Sequence, residues 1–352
     1  MTKSGGTPIC VNTRILGGHL TGVQRYLLSI FEYLPGSIHR IGPERPAHGV
    51  RGHAWEQFAL PAKVRGEVLW SPSNTGPLAV TRQVLTVHDL VPIDHPEFLN
   101  PRFAAWYQFL LPKLVRRVRH IIAISEFTKQ RLMDAFGVSE QRITVIWNGV
   151  DERFRPQPLE LIAAAIEELG IPSSRYLFAL GSLEPRKNLR RLLEAWARIV
   201  HQLPDDVWLV LAGARGKSIV FDGMSFEPLP PRVHLTGHVP DQLLPALYSG
   251  AIAALYVSVY EGFGLPPLEA MACGTPALTG DQTALPEVVG NAALTVDPYD
   301  VGAIGAGLQS LVTDDVLRQD LRERGLQRAT RFHWKDTADR TWHVLEEVAA
   351  AG

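Results

Sequence analysis

The chain has 352 residues, of which 46% are hydrophobic and 20% charged, and its formal net charge is −1. This length favours two domains, each large enough to bury its own core. The near-neutral charge gives no support to a nucleic-acid partner.

The first half of the chain alternates between strand and helix patterns. A helix is predicted at residues 22–34, because Thr21 and Gln24 form a capping box ahead of an apolar face. Proline and glycine break up residues 35–66, which are left unassigned. The elements predicted after that stretch are strands at 67–70, 83–88, 120–124 and 142–146, a helix at about 102–119, and a helix capped by Ser125 and ended by Gly137.

The second half repeats the alternation after a connection at 147–172. Its predicted strands are 176–180, 207–212, 233–236, 252–257, 276–279 and 293–296, and the pattern is helical after Asp300. Such alternation predicts an α/β protein with two doubly wound, Rossmann-like domains facing a central cleft. The expected domains are 1–155 and 165–330, with a last helix in 331–352 that packs back on the first domain.

The cysteines and the apolar runs of the sequence indicate the cellular compartment. Cys10 and Cys273 lie far apart and are expected to be buried apolar side chains rather than a disulfide or a metal pair. The first ten residues lack the apolar region of a signal peptide, and no apolar run reaches the roughly 18 residues of a membrane span. A cytoplasmic protein is expected, at most peripheral at the inner face of a membrane.

The strongest motif is YEGFGLPPLEAMACG at 260–274, directly after a predicted strand. Gly262 and Gly264 allow close approach of a ligand to the backbone, and the two prolines that follow suit a first helical turn. The N-terminus of that helix would bind anions and hydroxyls. Glu261 before the helix and Glu269 within it could hold two parts of one ligand. The alternative is a helix cap with a solvated glutamate.

A second motif, GSLEPRKN at 181–188, forms a strand-to-helix turn. Arg186 offers a planar fork and Lys187 a point charge, a pair suited to a diphosphate. The chain has no Asp-x-Asp, so the pair would hold the diphosphate without a metal. The alternative is a solvated basic helix start.

Two weaker signals lie in the first half. His88, in the segment TVHD, ends a predicted strand. Its side chain could face a ligand, or it could have a purely structural role. Gly17 and Gly18 begin the loop GGHLTG, which could close on a phosphate, although a lone glycine-rich loop is weak evidence.

These motifs together resemble the GT4 family of retaining GT-B glycosyltransferases. Glu261 to Glu269 matches the E-x7-E motif of that family, and the segments TVHDL, AISEFTK, NGVD and EPRKN precede it in the order and spacing that the family shows. The resemblance covers about residues 10–345. The helix TGVQRYLLSIFEYL is similar to that of its mannosyltransferase-like members. Ser182 departs from the family, many members of which have arginine after the glycine matched by Gly181.

The resemblance implies roles for individual residues. Glu269 would bind the nucleotide ribose, and Glu261 would hold the donor sugar with the backbone of Gly262, Phe263, Gly264 and Leu265. Arg186 and Lys187 would neutralise the diphosphate, near which Gly17 and Gly18 would lie, with Gly181 and Ser182 at the same donor site. His88 would position the transferred sugar.

The resemblance further implies retaining, metal-independent hexosyl transfer without a cofactor. GDP-mannose is the favoured nucleotide-sugar, and the acceptor would be a glycan or a lipid-linked glycan in polysaccharide or O-antigen (lipopolysaccharide) biosynthesis. A nucleotide-sugar epimerase of the same fold and a non-catalytic glycan- or nucleotide-binding protein remain alternatives. The basic stretch Lys113–His120 could contact an anionic membrane or a phosphorylated lipid, or be a solvated helix face.

Overall fold

The structure is a computed structural model that describes residues 8–17, 21–35, 38–181, 184–213 and 229–351. It divides into two compact units. Unit 1 takes Met1–Asp94, Arg102–Gly149 and His333–Gly352, and unit 2 takes His95–Pro101 and Val150–Phe332. His95–Pro101, which the sequence placed in the first domain, belongs to unit 2, where the His95 ring lies 5.2 Å from that of Tyr260.

Unit 1 is built on a parallel six-stranded sheet in the order β2-β1-β3-β4-β5-β6. Its strands are β1 Ile9–Asn12, β2 His39–Ile41, β3 Val68–Ser71, β4 Gln83–Val87, β5 His120–Ala123 and β6 Ile143–Val145. Strand β2 lies in the stretch left unassigned from sequence. The chain passes from β1 to β2 on one side and then returns to β3 on the other. The carboxyl ends of β1 and β3 therefore form a topological switch point, where doubly wound sheets bind ligands.

Two of the unit 1 helices, α1 Gly22–Phe31 and α6 Glu126–Phe136, have the caps that the sequence predicts. The unit also contains α2 Gly49–Ala54, α3 Leu60–Lys63, α4 Val91–Asp94 and α5 Pro101–Arg117, with a π-helical segment, Trp55–Ala59, between α2 and α3. The Thr21 N–H donates to Gln24 Oε1 at 2.9 Å. Ser125 Oγ accepts the Thr128 N–H at 3.0 Å, and Gly137 ends α6 with φ 65°. These caps are confirmed, although α1 ends three residues before its predicted limit.

Unit 2 has a second parallel six-stranded sheet, in the order β12-β11-β10-β7-β8-β9. Its strands are β7 Arg175–Leu180, β8 Val207–Ala212, β9 Val233–Gly237, β10 Ala253–Tyr256, β11 Ala277–Gly280 and β12 Leu294–Val296. Its helices are α7 Leu159–Glu168, α8 Leu189–Ile199, α9 Leu244–Gly250, α10 Leu265–Ala272, α11 Leu285–Val289, α12 Val301–Thr313 and α13 Asp315–Ala329. The strand order reverses between β7 and β10, so the switch point of this unit lies at their carboxyl ends. Two Rossmann-like α/β units are thus confirmed.

The two cysteines belong to different units. Cys10 lies in β1 and Cys273 directly follows α10, and both are buried free thiols. Burial raises the pKa of each thiol to about 12. The expectation of two buried apolar side chains is confirmed.

The last helix, α14 Trp334–Ala350, packs within unit 1. The Trp334 ring lies edge-on to Tyr26 of α1, with 6.0 Å between ring centroids. Thr337 Oγ1 donates to the Trp147 carbonyl at 2.7 Å, and Arg82 Nη2 donates to the Ala349 carbonyl at 2.9 Å. Both ends of α14 are therefore fixed to this unit.

We expect Gly149→Ala to destabilise unit 1. A Cβ at Gly149 would lie 2.2 Å from the Trp334 backbone nitrogen, so α14 would have to shift. Overpacking of this kind costs about 1–3 kcal/mol, measured as a change in the free energy of unfolding in urea. Gly22→Ala is the matched control, because its Cβ meets no atom within 4 Å. Equal stability of the two variants would contradict the prediction.

The basic stretch Lys113–His120 divides between two elements. Lys113 and Arg116 lie exposed on α5, but His120 belongs to β5, where its Nε2 lies 2.8 Å from Thr144 Oγ1. Arg117 Nε donates to the Leu78 carbonyl at 2.9 Å. The stretch is therefore not one continuous surface face, because the strand turns His120 into the fold. In the described parts of the chain, no helix has the length and apolar character that crossing a bilayer requires.

Candidate functional site

The two strongest motifs meet at the switch point of unit 2. Residues 181–188 follow β7, and the loop with Glu261 follows β10, which is the neighbouring strand. Asn188 joins the two loops, since its Nδ2 donates to the Val257 carbonyl at 3.0 Å and to the Pro298 carbonyl at 2.6 Å. Asn188 has a left-handed φ of 58°. It follows the turn Pro185–Lys187 and directly precedes α8.

Glu261 lies at the centre of this site. Its Oε2 accepts Arg186 Nη1 at 2.8 Å, and its Oε1 accepts Lys187 Nζ at 2.8 Å. Arg186 Nε donates to Glu184 Oε2 at 2.7 Å, and Lys187 Nζ also donates to the Tyr256 hydroxyl. Two cations and two carboxylates therefore form one buried network of balanced charge.

The charges of this network set the ionisation of Glu261. Burial raises its pKa, but Arg186 and Lys187 outweigh that effect and lower it to about 2. Burial, together with the charge of Arg186, lowers the pKa of Lys187. Glu261 is thus a weakly basic carboxylate at neutral pH, with each of its oxygens paired to a cation.

Helix α10 begins beside Glu261. Gly264 has φ 116°, a conformation that favours glycine, and a Cβ there would lie 2.7 Å from Leu285 Cδ2. Pro266 and Pro267 occupy the first turn, as predicted, where their missing N–H groups cost the helix no hydrogen bond. Glu269 is buried on α10, where the Tyr248 hydroxyl approaches its Oε2 at 3.5 Å.

The other residues predicted to bind the sugar donor differ in their surroundings. Gly181 follows β7, its N–H donates to the Ala212 carbonyl at 2.9 Å, and the Lys187 side chain lies beside it. Gly262 lies directly after Glu261, and Leu265 begins α10. The Phe263 ring packs edge-on to Phe332 at 6.0 Å, which leaves only the Phe263 backbone for a ligand. Gly17 closes a short turn after β1, close to Pro46. Gly18 and Ser182 lie outside the described residues.

His88 follows β4 in unit 1 and is buried. Its Nε2 lies 2.8 Å from the Pro72 carbonyl, which can only accept, so this nitrogen carries the proton and Nδ1 is the acceptor. Its backbone N–H donates to Asn74 Oδ1 at 2.7 Å, and its ring lies edge-on to Tyr26 at 4.8 Å. Burial lowers the pKa of His88 to about 4.

We expect the His88 ring to stay neutral from pH 8 to pH 5. Its pKa lies below the ordinary 6.5, so neutral His88 contributes stability that is complete above pH 6.5 and is lost as the pH falls towards 4. NMR titration of the ring protons, assigned with a His88→Gln variant, measures this. A midpoint between pH 6 and 7 would contradict the burial argument.

Several site residues had no role assigned from sequence. Glu184 and Asn188 lie within the GSLEPRKN motif itself. Glu184 accepts from Arg186, two residues further on, whereas Asn188 donates to carbonyls that are distant in the chain. Tyr256 ends β10, where a continuous apolar run indicates only a buried strand residue. Thr283 Oγ1 accepts the Glu261 N–H at 3.1 Å from a loop beyond β11.

Comparison with known families agrees with this arrangement. The family described as "Glycosyl transferases group 1" matches residues 163–328, which hold the unit 2 site. The family described as "Glycosyltransferase Family 4" matches residues 69–154.

Individual relatives extend the match. O-antigen chain mannosyltransferase B of Escherichia coli is 31% identical over 267 residues, 75% of this chain and 70% of that protein. The serotype-specific mannosyltransferase WbdA of Escherichia coli is 30% identical over 73% of this chain, which spans only 32% of WbdA. Anabaena HepE, solved with UDP and glucose, shares the fold with a TM-score of 0.73 at 18% identity, over 96% of this chain and 99% of HepE. The chain therefore belongs to the GT4 family of glycosyltransferases and has the GT-B fold.

Proposed function

We propose that this glycosyltransferase moves a mannosyl residue from GDP-mannose to a glycan or lipid-linked acceptor in polysaccharide or O-antigen assembly. The observation that carries the proposal is the Arg186–Lys187 cation pair, held by Glu261 at the switch point of unit 2. A diphosphate needs fixed positive charge when it leaves, and these two side chains supply it. The choice of mannose is supported by the relatives named for mannosyl transfer.

We further propose that the donor configuration is retained through front-face attack. The bond from the anomeric carbon to the diphosphate oxygen breaks, the acceptor oxygen bonds to the same face, and the acceptor proton passes to the departing diphosphate. Glu261 is poorly suited to be a nucleophile or base, because both oxygens are paired with cations and its pKa is about 2. Its role in this scheme is to hold Arg186 and Lys187 in place.

The diphosphate is held without a metal in this proposal, and no cofactor takes part. Arg186 and Lys187 supply the positive charge that a divalent cation supplies in other sites. Transfer should therefore persist after the protein is treated with EDTA and dialysed. Strict dependence on added Mn²⁺ or Mg²⁺ would contradict this part of the proposal.

The donor experiment compares GDP-mannose with UDP-glucose, the sugar nucleotide suggested by the ligands of HepE. Nucleotide release with and without a mannan oligosaccharide acceptor is measured, and NMR of the first product gives its linkage. We expect release from GDP-mannose, stimulated by acceptor, and an α-linkage from the α-linked donor. A β-linkage would overturn retention, a faster reaction with UDP-glucose would overturn the donor, and free epimer or no turnover would overturn transfer.

We also propose peripheral contact of α5 with an anionic lipid surface. This helix has no aspartate or glutamate, and its exposed side chains include Phe109, Lys113 and Arg116. The Lys113 ammonium lies 3.0 Å from the centre of the Phe109 ring, so the cation and the aromatic ring share one surface. Such pairs suit the headgroup region of a bilayer.

Vesicle sedimentation tests this contact. The protein should bind vesicles of phosphatidylglycerol and phosphatidylcholine, weakly or not at all vesicles of phosphatidylcholine alone, and less at high salt. Lys113→Glu with Arg116→Glu should abolish binding, whereas the charge change Lys63→Glu on α3 should leave it unchanged. Equal binding by both variants would contradict the proposal.

A further inference from the structure

A second polar cluster lies at the switch point of unit 1. Its centre is Glu56, whose side chain is fully buried on the π-helical segment Trp55–Ala59. Asn12 at the end of β1 and Thr75 after β3 both contact it. Ligands of doubly wound sheets bind at this position, and π-helical turns often mark functional sites.

The contacts of Glu56 are one-sided. Its Oε1 accepts Asn12 Nδ2 at 2.8 Å, Arg14 Nε at 3.1 Å and Thr75 Oγ1 at 3.1 Å. Its Oε2 is buried and has no hydrogen-bond partner among the described residues. Buried carboxylate oxygens are almost always hydrogen-bonded, so Oε2 lacks a donor that a carboxylate in this setting ordinarily has.

His53 lies next to this oxygen, at ion-pair distance. Its Nδ1 is 3.7 Å from Glu56 Oε2, too far for a hydrogen bond, and is likewise buried without a partner in the described parts of the chain. A ligand hydroxyl placed between the two groups would donate to the carboxylate and accept from the imidazole. A hydroxyl has the donor and acceptor that this gap requires.

Aromatic side chains complete the cluster. The His53 ring lies 5.4 Å from that of Trp106 and 6.2 Å from that of Tyr107. The Trp106 indole N–H is also buried without a partner in the described chain. Aromatic rings that offer apolar faces, next to a carboxylate and an unpaired N–H, suit a sugar ring, which has apolar C–H faces and polar edges.

One loop links this cluster to His88. The Pro72 carbonyl accepts His88 Nε2, Asn74 Oδ1 accepts the His88 N–H, and Thr75 Oγ1 contacts Glu56. Arg14 Nη2 also donates to Thr75 Oγ1 at 3.0 Å. The loop after β3 therefore contacts both His88, which follows β4, and Glu56 on the π-helical segment.

We propose that Glu56, His53 and Trp106 form a subsite for a hexose ring of the acceptor, with Glu56 Oε2 accepting a sugar hydroxyl. This rests on the proposed transfer function and assigns its acceptor side to named residues. Arg14, Asn12 and Thr75 position the carboxylate by holding its other oxygen.

Calorimetric titration of methyl α-mannoside into the full chain saturated with GDP tests the subsite. We expect the wild-type protein to bind this probe and Glu56→Gln to bind it at least about tenfold more weakly. The glutamine amide is neutral and has one acceptor oxygen, so it cannot both keep the contacts of Oε1 and accept the sugar hydroxyl. Trp106→Phe, which keeps a ring but removes the N–H, should weaken binding severalfold. Glu140→Gln, at an exposed glutamate of the same unit, is the control.

GDP affinity separates the possible outcomes. All four proteins should bind GDP equally, so a loss confined to methyl α-mannoside supports the subsite. The subsite would be overturned if both Glu56→Gln and Trp106→Phe bound the probe with wild-type affinity. It would also be overturned if the wild-type protein did not bind the probe. If Glu56→Gln does not fold, as circular dichroism would show, Trp106→Phe decides. Failure of the proposed function would instead appear as no turnover of GDP-mannose by the wild-type protein.

Discussion

Lys187→Met should lower kcat for glycosyl transfer by roughly two to three orders of magnitude. Lys187 is almost fully buried, and its ammonium is held by Glu261 at 2.8 Å and by the Tyr256 hydroxyl. A fixed cation in such a setting stabilises charge on the leaving diphosphate without reorganisation, and methionine fills a similar volume without the charge. The loss should appear in kcat more than in the acceptor KM, because the charge develops in the transition state.

The controls for this prediction separate charge from structure. Lys187→Arg keeps the charge but replaces a point donor with a planar fork, so it should recover activity only in part. Lys129→Met removes a lysine of α6 that pairs with Glu140 and should leave kcat unchanged. GDP binding, followed by thermal shift, should weaken in Lys187→Met and not in Lys129→Met. A kcat for Lys187→Met within twofold of wild type would exclude a role in leaving-group stabilisation.

Glu261→Gln should destabilise the protein by about 3 kcal/mol at pH 7. The pKa of Glu261 is about 2 in the fold, well below its ordinary 4.5, because Arg186 and Lys187 favour the ionised form. This contribution to stability is complete above about pH 4.5 and is lost as the pH falls through 2. Removing the carboxylate also leaves two cations unpaired in a buried setting.

Urea unfolding of wild type and Glu261→Gln at pH 7 and pH 3 measures the effect. The difference in the free energy of unfolding should be large at pH 7 and smaller at pH 3, where the unfolded chain binds a proton that the folded carboxylate resists. Glu160→Gln, at an exposed position on α7, is the control and should show no such difference. A constant difference across both pH values would show that the carboxylate charge is not responsible.

Local signals in the sequence determined most elements and the location of the donor motifs. Ser125 and Gly137 bound α6 because capping and left-handed glycine act within a few residues. The alternation of strands and helices predicted both parallel sheets, and Glu261 and Lys187 follow the strands that the sequence indicated. These features depend on neighbours along the chain, so one sequence is enough to predict them.

Tertiary structure alone decided which charges meet. Glu261 pairs with Arg186 and Lys187 because β7 and β10 are adjacent in the sheet, an order that no local pattern records. Glu56 fell in the unassigned stretch 35–66, and its contact with Asn12 joins residues 44 positions apart. The physical reason is the same in both cases: a buried carboxylate needs partners, and only strand order and helix packing determine which partners come within hydrogen-bond distance.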